Sequence, residues 1–232
     1  DLNALHQSFL RLCTRGGGKL FVSAGTKSIS RASGNWQVST AAGDFSAPVI
    51  INAAGAWGDK VAQMSGVAPI GLQPKRRSIG VVPLTGYPDF MSWQLRVDVQ
   101  ETWYAKPQSG KLLVSPADET PMEPHDAYAD DETLAGGIER FMQATTVEVT
   151  RLEHSWGGLR TFSPDGALVV GFDPTAEGFF WLVGQGGYGI MTSAGLARLA
   201  AALACHKPVP EDIFAQGLEL KGLPHDRFWA GM

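Results

Sequence analysis

The sequence predicts a mixed α/β (α+β) fold built from two interleaved parts. Three observations carry that reading. The run Ala47-Pro48-Val49-Ile50-Ile51-Asn52-Ala53-Ala54 is apolar on both faces, as a buried central strand is. The middle of the chain is a block of long strand-like runs with β-branched and aromatic residues, turned by Gln108-Ser109-Gly110. The last third passes from a strand through a Gly-rich loop into a long Ala-rich helix. Residues 1–70 and 155–232 then make one discontinuous part, and residues 71–154 an inserted antiparallel-sheet part.

Taken in order, Leu2, Leu5, Phe9, Leu12 and Cys13 recur at helical spacing, and Gly16-Gly17-Gly18 ends that helix. Short strands are expected over 19–23, 26–31 and 36–40, with turns at Ser33-Gly34-Asn35 and Ala42-Gly43-Asp44. Gly55 opens a turn into a short helix over 57–65. Strands follow over 72–83, 95–107 and 111–115. An acidic, Pro-containing loop over 117–130 leads to a helix over 131–143, and another strand is expected over 146–154. A Ser163-Pro164-Asp165-Gly166 turn precedes strands over 167–171 and 178–183 and a helix over 190–205. The tail after Lys207 is Pro-punctuated, with Phe214 and Phe228 as expected anchors.

Composition narrows the function classes. The chain has 232 residues, 44% hydrophobic and 18% charged, an ordinary globular balance. Its net charge is −4, and Lys75-Arg76-Arg77 is the densest basic cluster, too small a footprint for nucleic acid. No apolar run approaches the roughly 20 residues of a membrane-spanning helix. Cys13 and Cys205 have no CxxC or Cys/His spacing and read as free buried thiols. The five histidines are scattered, which argues against a metal site. The chain begins at Asp1 in mid-helix pattern without a signal peptide, the expectation for a cytoplasmic fragment. A homo-oligomer is left open.

Three segments could carry chemistry. In Gly184-Gln185-Gly186-Gly187-Tyr188-Gly189 a strand runs into a glycine loop and a helix leaves it. Free backbone N–H groups and the positive helix end then favour an anionic or electron-rich ligand. The string satisfies Gly-x-Gly-x-x-Gly, yet no second parallel strand with an acidic end follows; His206-Lys207-Pro208-Val209-Pro210 cannot be one. It is therefore not the dinucleotide fingerprint. The second segment, Ile50 through Trp57, ends a strand in small residues before a helix, which leaves room for a bulky ligand. The third is Arg160 in Gly158-Leu159-Arg160-Thr161, either an ion-pair partner or a bidentate carboxylate clamp.

In combination these segments resemble the D-amino-acid oxidase/glycine oxidase superfamily of flavoproteins. Asn52-Ala53-Ala54-Gly55-Ala56-Trp57 is similar to its "AAGxW" run, and Gly158-Leu159-Arg160 through Asp165-Gly166 to its "GLRPxTxDG" run. Gly184 through Met191 is placed like its closing Gly-rich loop and helix, and Tyr104 to Val114 like its substrate-domain hairpin. The resemblance implies an incomplete, discontinuous FAD-binding Rossmann-like domain with an inserted substrate-binding sheet. The family's amino-terminal βαβ unit has no counterpart in this sequence, which implies that the chain alone is inactive. Arg160 would bind the substrate carboxylate, with Tyr104 closing on it. Ala53, Ala54, Gly55 and Trp57 would line the FAD phosphates and ribityl chain, and Thr26 and Lys27 the adenine. Gln185, Gly186, Gly187, Tyr188, Gly189, Ile190 and Met191 would lie along the isoalloxazine. The implied reaction is hydride transfer from the α-carbon of an amino acid or secondary amine to FAD. A 2-hydroxy acid or glycerol 3-phosphate dehydrogenase is the flavin-dependent alternative, and a non-catalytic binding module the alternative of another class.

Overall fold

The computed structural model of the chain describes residues 2–220 together with Leu223 and Arg227. The chain runs α1 (Leu2–Arg15), β1 (Thr26–Ala32), β2 (Asn35–Thr40), β3 (Gly43–Ala47) and β4 (Ile50–Asn52). A 3-10 turn (Gly55–Trp57) leads into α2 (Gly58–Met64). Next come β5 (Gln73–Val82), β6 (Arg96–Val97), β7 (Tyr104–Gln108), β8 (Lys111–Ser115) and α3 (Asp131–Ala144). β9 (His154–Phe162), β10 (Val169–Phe172), β11 (Phe179–Val183), α4 (Gly189–Ala204) and α5 (Glu211–Phe214) complete the order. The strands form three sheets, β1-β2-β3, β10-β11-β4 and β6-β7-β8-β5-β9. The mixed α/β class expected from sequence is the class observed.

β11 is the most deeply buried strand, and its sequence Phe179-Phe180-Trp181-Leu182-Val183 explains why. It pairs antiparallel with β10 and parallel with β4. Alternate residues serve different cores, as the period-2 pleat requires. Phe179, Trp181 and Val183 pack with Ile29, Trp36, Ala62 and Ile70, so α2 and the β1-β2-β3 meander cover one face. Phe180 joins Val170 and Ala200, so α4 covers the other. All four large residues are fully buried, and each such side chain contributes about 1.5–3 kcal/mol of apolar burial. The doubly buried strand expected over 47–54 is therefore β11. β4 is three residues long and leaves Ile51 exposed. Among the described residues β11 is its one strand partner.

The five-stranded sheet divides its two faces cleanly. Val82, Ala105, Leu112 and Val114 point to one side and pack with Trp103 and Phe141, where α3 lies. Asp130 starts α3 by accepting the Thr133 N–H at 2.9 Å, and Asp131 and Glu132 complement the helix dipole. β7 and β8 are joined by a two-residue turn whose Ser109 and Gly110 both have positive φ, the geometry that matches strand twist. The opposite face carries the charged site described below.

Four local expectations change. Residues 19–23 form no strand; Leu20, Phe21 and Val22 are exposed, and no neighbouring strand among the described residues supplies a ladder. The run 95–107 is broken at Asp98, whose carboxylate accepts the Thr102 hydroxyl at 2.6 Å and amide at 3.2 Å, a side-chain turn that interrupts the ladder. The strand expected over 146–154 begins only at His154 and continues to Phe162, because β5 pairs with it over that span. Cys13 and Cys205 are exposed, and Phe214 is exposed too, so neither the buried thiols nor that anchor is found. Phe228 lies outside the described residues. α1 forms as expected from its spacing, yet none of its residues is buried.

Candidate active site

Register builds the site. Lys75 lies directly opposite Arg160, and Arg77 opposite Gly158. Opposed residues share a face, as do residues two apart on one strand. Lys75, Arg77, Arg160 and Phe162 therefore leave the same side of the sheet. Val81 opposite Leu113, and Ser115 opposite Tyr104, carry that side across to Tyr104. A cavity of about 390 Å³ opens over this face, lined by Arg77, Tyr104, Glu119, Arg160, Phe162, Gly187 and Tyr188 among others.

Most charges on this face are paired. Arg77 Nη2 donates to Glu119 Oε1 at 3.0 Å, and Lys75 Nζ donates to the same carboxylate at 3.0 Å. Lys75 also sits 4.8 Å from the Phe162 ring centroid, and Arg77 5.9 Å from that of Tyr104, both in cation–π range. Burial, then the Arg160 charge, pushes the Arg77 guanidinium below its ordinary value. The Lys75 hydrogen bond leads the influences that hold the Glu119 carboxyl below its own. The Arg160 guanidinium differs from both, because it makes no hydrogen bond or ion pair with any described residue.

Asp118, one residue before Glu119, faces the other way. Its carboxylate accepts the Ser78 amide at 2.7 Å, the Ser78 hydroxyl at 2.9 Å and Arg76 Nε at 3.2 Å. The loop is laid along β5 by Arg76 N–H to Thr120 O and Met122 N–H to Pro74 O, each 2.9 Å. Adjacent acids thus reach opposite faces, Asp118 for the scaffold and Glu119 for the cavity.

The glycine loop closes the cavity from above. Gly186 N–H donates to Thr161 O at 2.9 Å, fastening the loop to β9 beside Arg160. Gly186 has φ +53°, and a Cβ there would lie 2.6 Å from Phe162 Cε1. A Cβ on Gly187 would lie 3.2 Å from Arg160 Nη1. Glycine lets the backbone pass against these two side chains. Tyr188 is the N-cap of α4 and makes no side-chain capping bond, and the helix has no acid in its first turn. Its first N–H groups and positive dipole end are left for a ligand.

β4 and β11 run parallel, Trp181 opposite Asn52, so the segments leaving their carboxyl ends emerge side by side. Buried Asn52 fixes one of them, donating to Gly58 O at 2.8 Å and accepting the Ala54 N–H at 3.3 Å. The Gly55–Trp57 turn packs against β9, which carries Arg160.

The structure thus brings Arg160, Tyr104, Gly187 and Tyr188 to one cavity, with Gly186 in contact with its wall. Ala53, Ala54, Gly55 and Trp57 stand at the neighbouring strand end, and Trp57 is exposed. Gln185 is turned inward, its amide donating to Leu182 O at 3.1 Å. Gly189 and Ile190 line a separate apolar cleft of about 310 Å³ with Leu2, Leu5 and Phe9 of α1. Met191 is exposed on the same turn. Thr26 and Lys27 open β1 in the meander and lie outside the Arg160 cavity. The sequence marks Arg77, with Arg76, as an obvious cation for an anionic substrate but does not mark Glu119 or Phe162 as site residues. The Lys75-x-Arg77 alternation was a usable signal; the approach of Glu119 depends on loop 117–122, which has no periodicity to read.

The model of the FAD dependent oxidoreductase (DAO) family matches residues 1–203. The chain belongs to this family. This DAO-family chain is 27% identical over 182 residues to the glycine oxidase of Geobacillus kaustophilus, covering 75% of the chain and 45% of that protein. It is 24% identical over 200 residues to FAD-dependent oxidoreductase domain-containing protein 1 of Xenopus laevis, covering 78% of the chain and 38% of that protein. It spans less than half the length of these curated relatives. The crystal structure of glycine oxidase from Geobacillus kaustophilus superposes with a TM-score of 0.69 at 24% identity, over 84% of the chain and 51% of that structure. That likeness establishes a shared fold. No helix among the described residues is long and apolar enough to cross a membrane.

Proposed function

We propose that this chain serves FAD-dependent oxidation of an amino acid or secondary amine, with Arg160 binding the substrate carboxylate and Tyr104 closing over it. The observation that carries the reading is the unpaired Arg160 guanidinium in a cavity roofed by the glycine loop. A half-buried cation without a protein partner is costly unless a ligand completes it, and a bidentate carboxylate does so best. The glycine oxidase relative supports the substrate class.

The residues present fit FAD. The loop over 184–187 has no large side chain besides the inward-turned Gln185, and the start of α4 is uncapped. Ala53, Ala54 and Gly55 leave the adjacent strand end clear. When bound, FAD supplies the acceptor for a hydride from the substrate α-carbon. The C–H bonding pair leaves with that hydride, the lone pair of the neutral amine nitrogen forms the C=N bond, and the resulting iminium ion is hydrolysed by water to a carbonyl product and the protonated amine. Arg160 would fix the carboxylate so that the α-carbon faces the loop, a gain of positioning more than of acid–base chemistry. Phe162 supplies an apolar wall that excludes water, and the α4 amino terminus favours negative charge developing near the loop. Thr26 and Lys27 are proposed for the adenine end.

The division of labour follows the sheets. We assign the β6-β7-β8-β5-β9 sheet to substrate binding and the β10-β11-β4 sheet with α4 to the flavin, which moves the second boundary from 154/155 to the end of β9. The test is substitution of Arg160 by Ala in the flavin-loaded protein. Loss of one buried bidentate contact costs about 1.5–3 kcal/mol, or roughly 10–150-fold in KM for carboxylate substrates. An unchanged KM rejects the assignment. Absence of flavin absorbance favours the binding-module alternative, and turnover of 2-hydroxyglutarate but no amine favours the hydroxy-acid one.

A further inference from the structure

We infer that Arg77 is a second anion contact in the Arg160 cavity, so that the substrate is an amino or imino acid carrying a second carboxylate. This rests on the amine-oxidation reading and names the substrate class within it.

Charge balance is the first support. Lys75, Arg77 and Arg160 leave one face of the sheet, and among the described residues Glu119 is the one carboxylate bonded to any of them there. Three cations against two carboxylates, Glu119 and the cavity-lining Glu101, leave an excess of one positive charge. Asp118 does not reduce it, because its oxygens are taken by Ser78 and Arg76 on the far face. A zwitterionic monocarboxylic amino acid is neutral and leaves that excess, whereas one with a second carboxylate carries a net negative charge and cancels it.

Hydrogen bonding is the second support. The Arg77 side chain is only 12% exposed, its Nη2 is bonded to a Glu119 that Lys75 also uses, and its Nε is buried without any acceptor. Buried donors are satisfied in almost all folded proteins, so an orphan on a cavity-lining arginine marks a place for an acceptor. A small turn of the guanidinium toward an incoming carboxylate would present two donors in the fork geometry arginine favours.

Shape is the third. Arg77 and Arg160 occupy diagonal positions across the β5–β9 pair, about 7–8 Å apart at the backbone. Gly158, directly opposite Arg77, has open space where a side chain would stand. Two carboxylates joined by a short carbon skeleton can be met by arginines held at those diagonal positions.

The test is isothermal titration of the purified flavin-loaded protein at low ionic strength with glutarate, butyrate and a phosphate monoester, beside kcat/KM for acidic amino acids and their amides. Glutarate is expected to bind at least about tenfold more tightly than butyrate, since one charge-assisted contact is worth that much. Arg77→Gln should bring the two Kd values within about twofold of each other, Arg77→Lys should keep part of the preference, and Glu119→Gln, which removes the competing carboxylate, should enlarge it. Equal binding of glutarate and butyrate, a preference for the phosphate monoester, or a glutarate preference that survives in Arg77→Gln overturns the inference. Arg77-dependent dicarboxylate binding without turnover of any amine supports the anion site and rejects the amine-oxidation reading. Equal kcat/KM for acids and amides rejects the substrate class while leaving amine oxidation standing.

Discussion

Asp118→Ala is expected to be among the most destabilising single changes in the substrate sheet. The Asp118 side chain is 4% exposed and the Arg76 side chain 11% exposed, so the ion pair is held away from water. Truncation removes three hydrogen bonds at once, from the Ser78 amide, the Ser78 hydroxyl and Arg76 Nε. It also strands a buried cation whose other acid, Asp130, stands 3.8 Å away. Breaking a buried pair from one side costs about 3–5 kcal/mol. For a chain of this size that lowers Tm by about 6–20 °C. Urea and thermal unfolding followed by far-ultraviolet circular dichroism measure it. The double variant Arg76→Met/Asp118→Ala removes the stranded charge and should be more stable than the single variant by at least about 1 kcal/mol. A cost below about 1 kcal/mol for Asp118→Ala, or a double variant as unstable as the sum of its parts, refutes the pairing as the source of stability.

Two further outcomes follow from other sites. Arg227 donates to both Asp165 oxygens, at 2.6 and 3.0 Å, and holds that carboxyl well below the ordinary range. A depressed folded pKa gives stability that is present above the unfolded value of about 4 and lost as pH falls through the folded value. The stability gap between the native protein and Asp165→Asn should therefore shrink as urea titrations move from pH 6 toward pH 3; a gap that widens on acidification contradicts the pair. Gly157→Ala would place a Cβ 2.5 Å from the backbone carbonyl of Tyr128. Backbone cannot yield as a side-chain tip does, so a loss of about 1–3 kcal/mol is expected, and unfolding at native stability would show that loop 117–130 packs more loosely against β9.

How much of this was legible in the sequence depends on whether a residue's neighbours are local. The β11–loop–α4 unit could be read directly, since an unbroken apolar run meets glycines and then an Ala-rich helical stretch. Arg160 stood out through its surrounding motif. Strand limits were harder, because a strand is finished by its partner. Residues 19–23 have strand-like composition and no partner among the described residues. β9 has a partner along its whole length but hides two glycines, which lower strand propensity; Gly157 is needed where Tyr128 crosses. The tandem Arg76-Arg77 posed the hardest case. Nothing local says that one arginine belongs to Asp118 and the other to Glu119.

That tandem carries a lesson for reading variation in this chain. The two arginines should tolerate change differently, because the pleat sends one side chain to the scaffold and the next to the cavity. Changes at Arg76 should surface as loss of expressed protein, and changes at Arg77 as altered ligand preference in protein that still accumulates. The same split recurs at Asp118 and Glu119, so the two dipeptides form a matched set across the sheet. A single-residue insertion in β5 would exchange the partners on both faces at once. Length in this strand should therefore be held more strictly than the identity of any one residue in it.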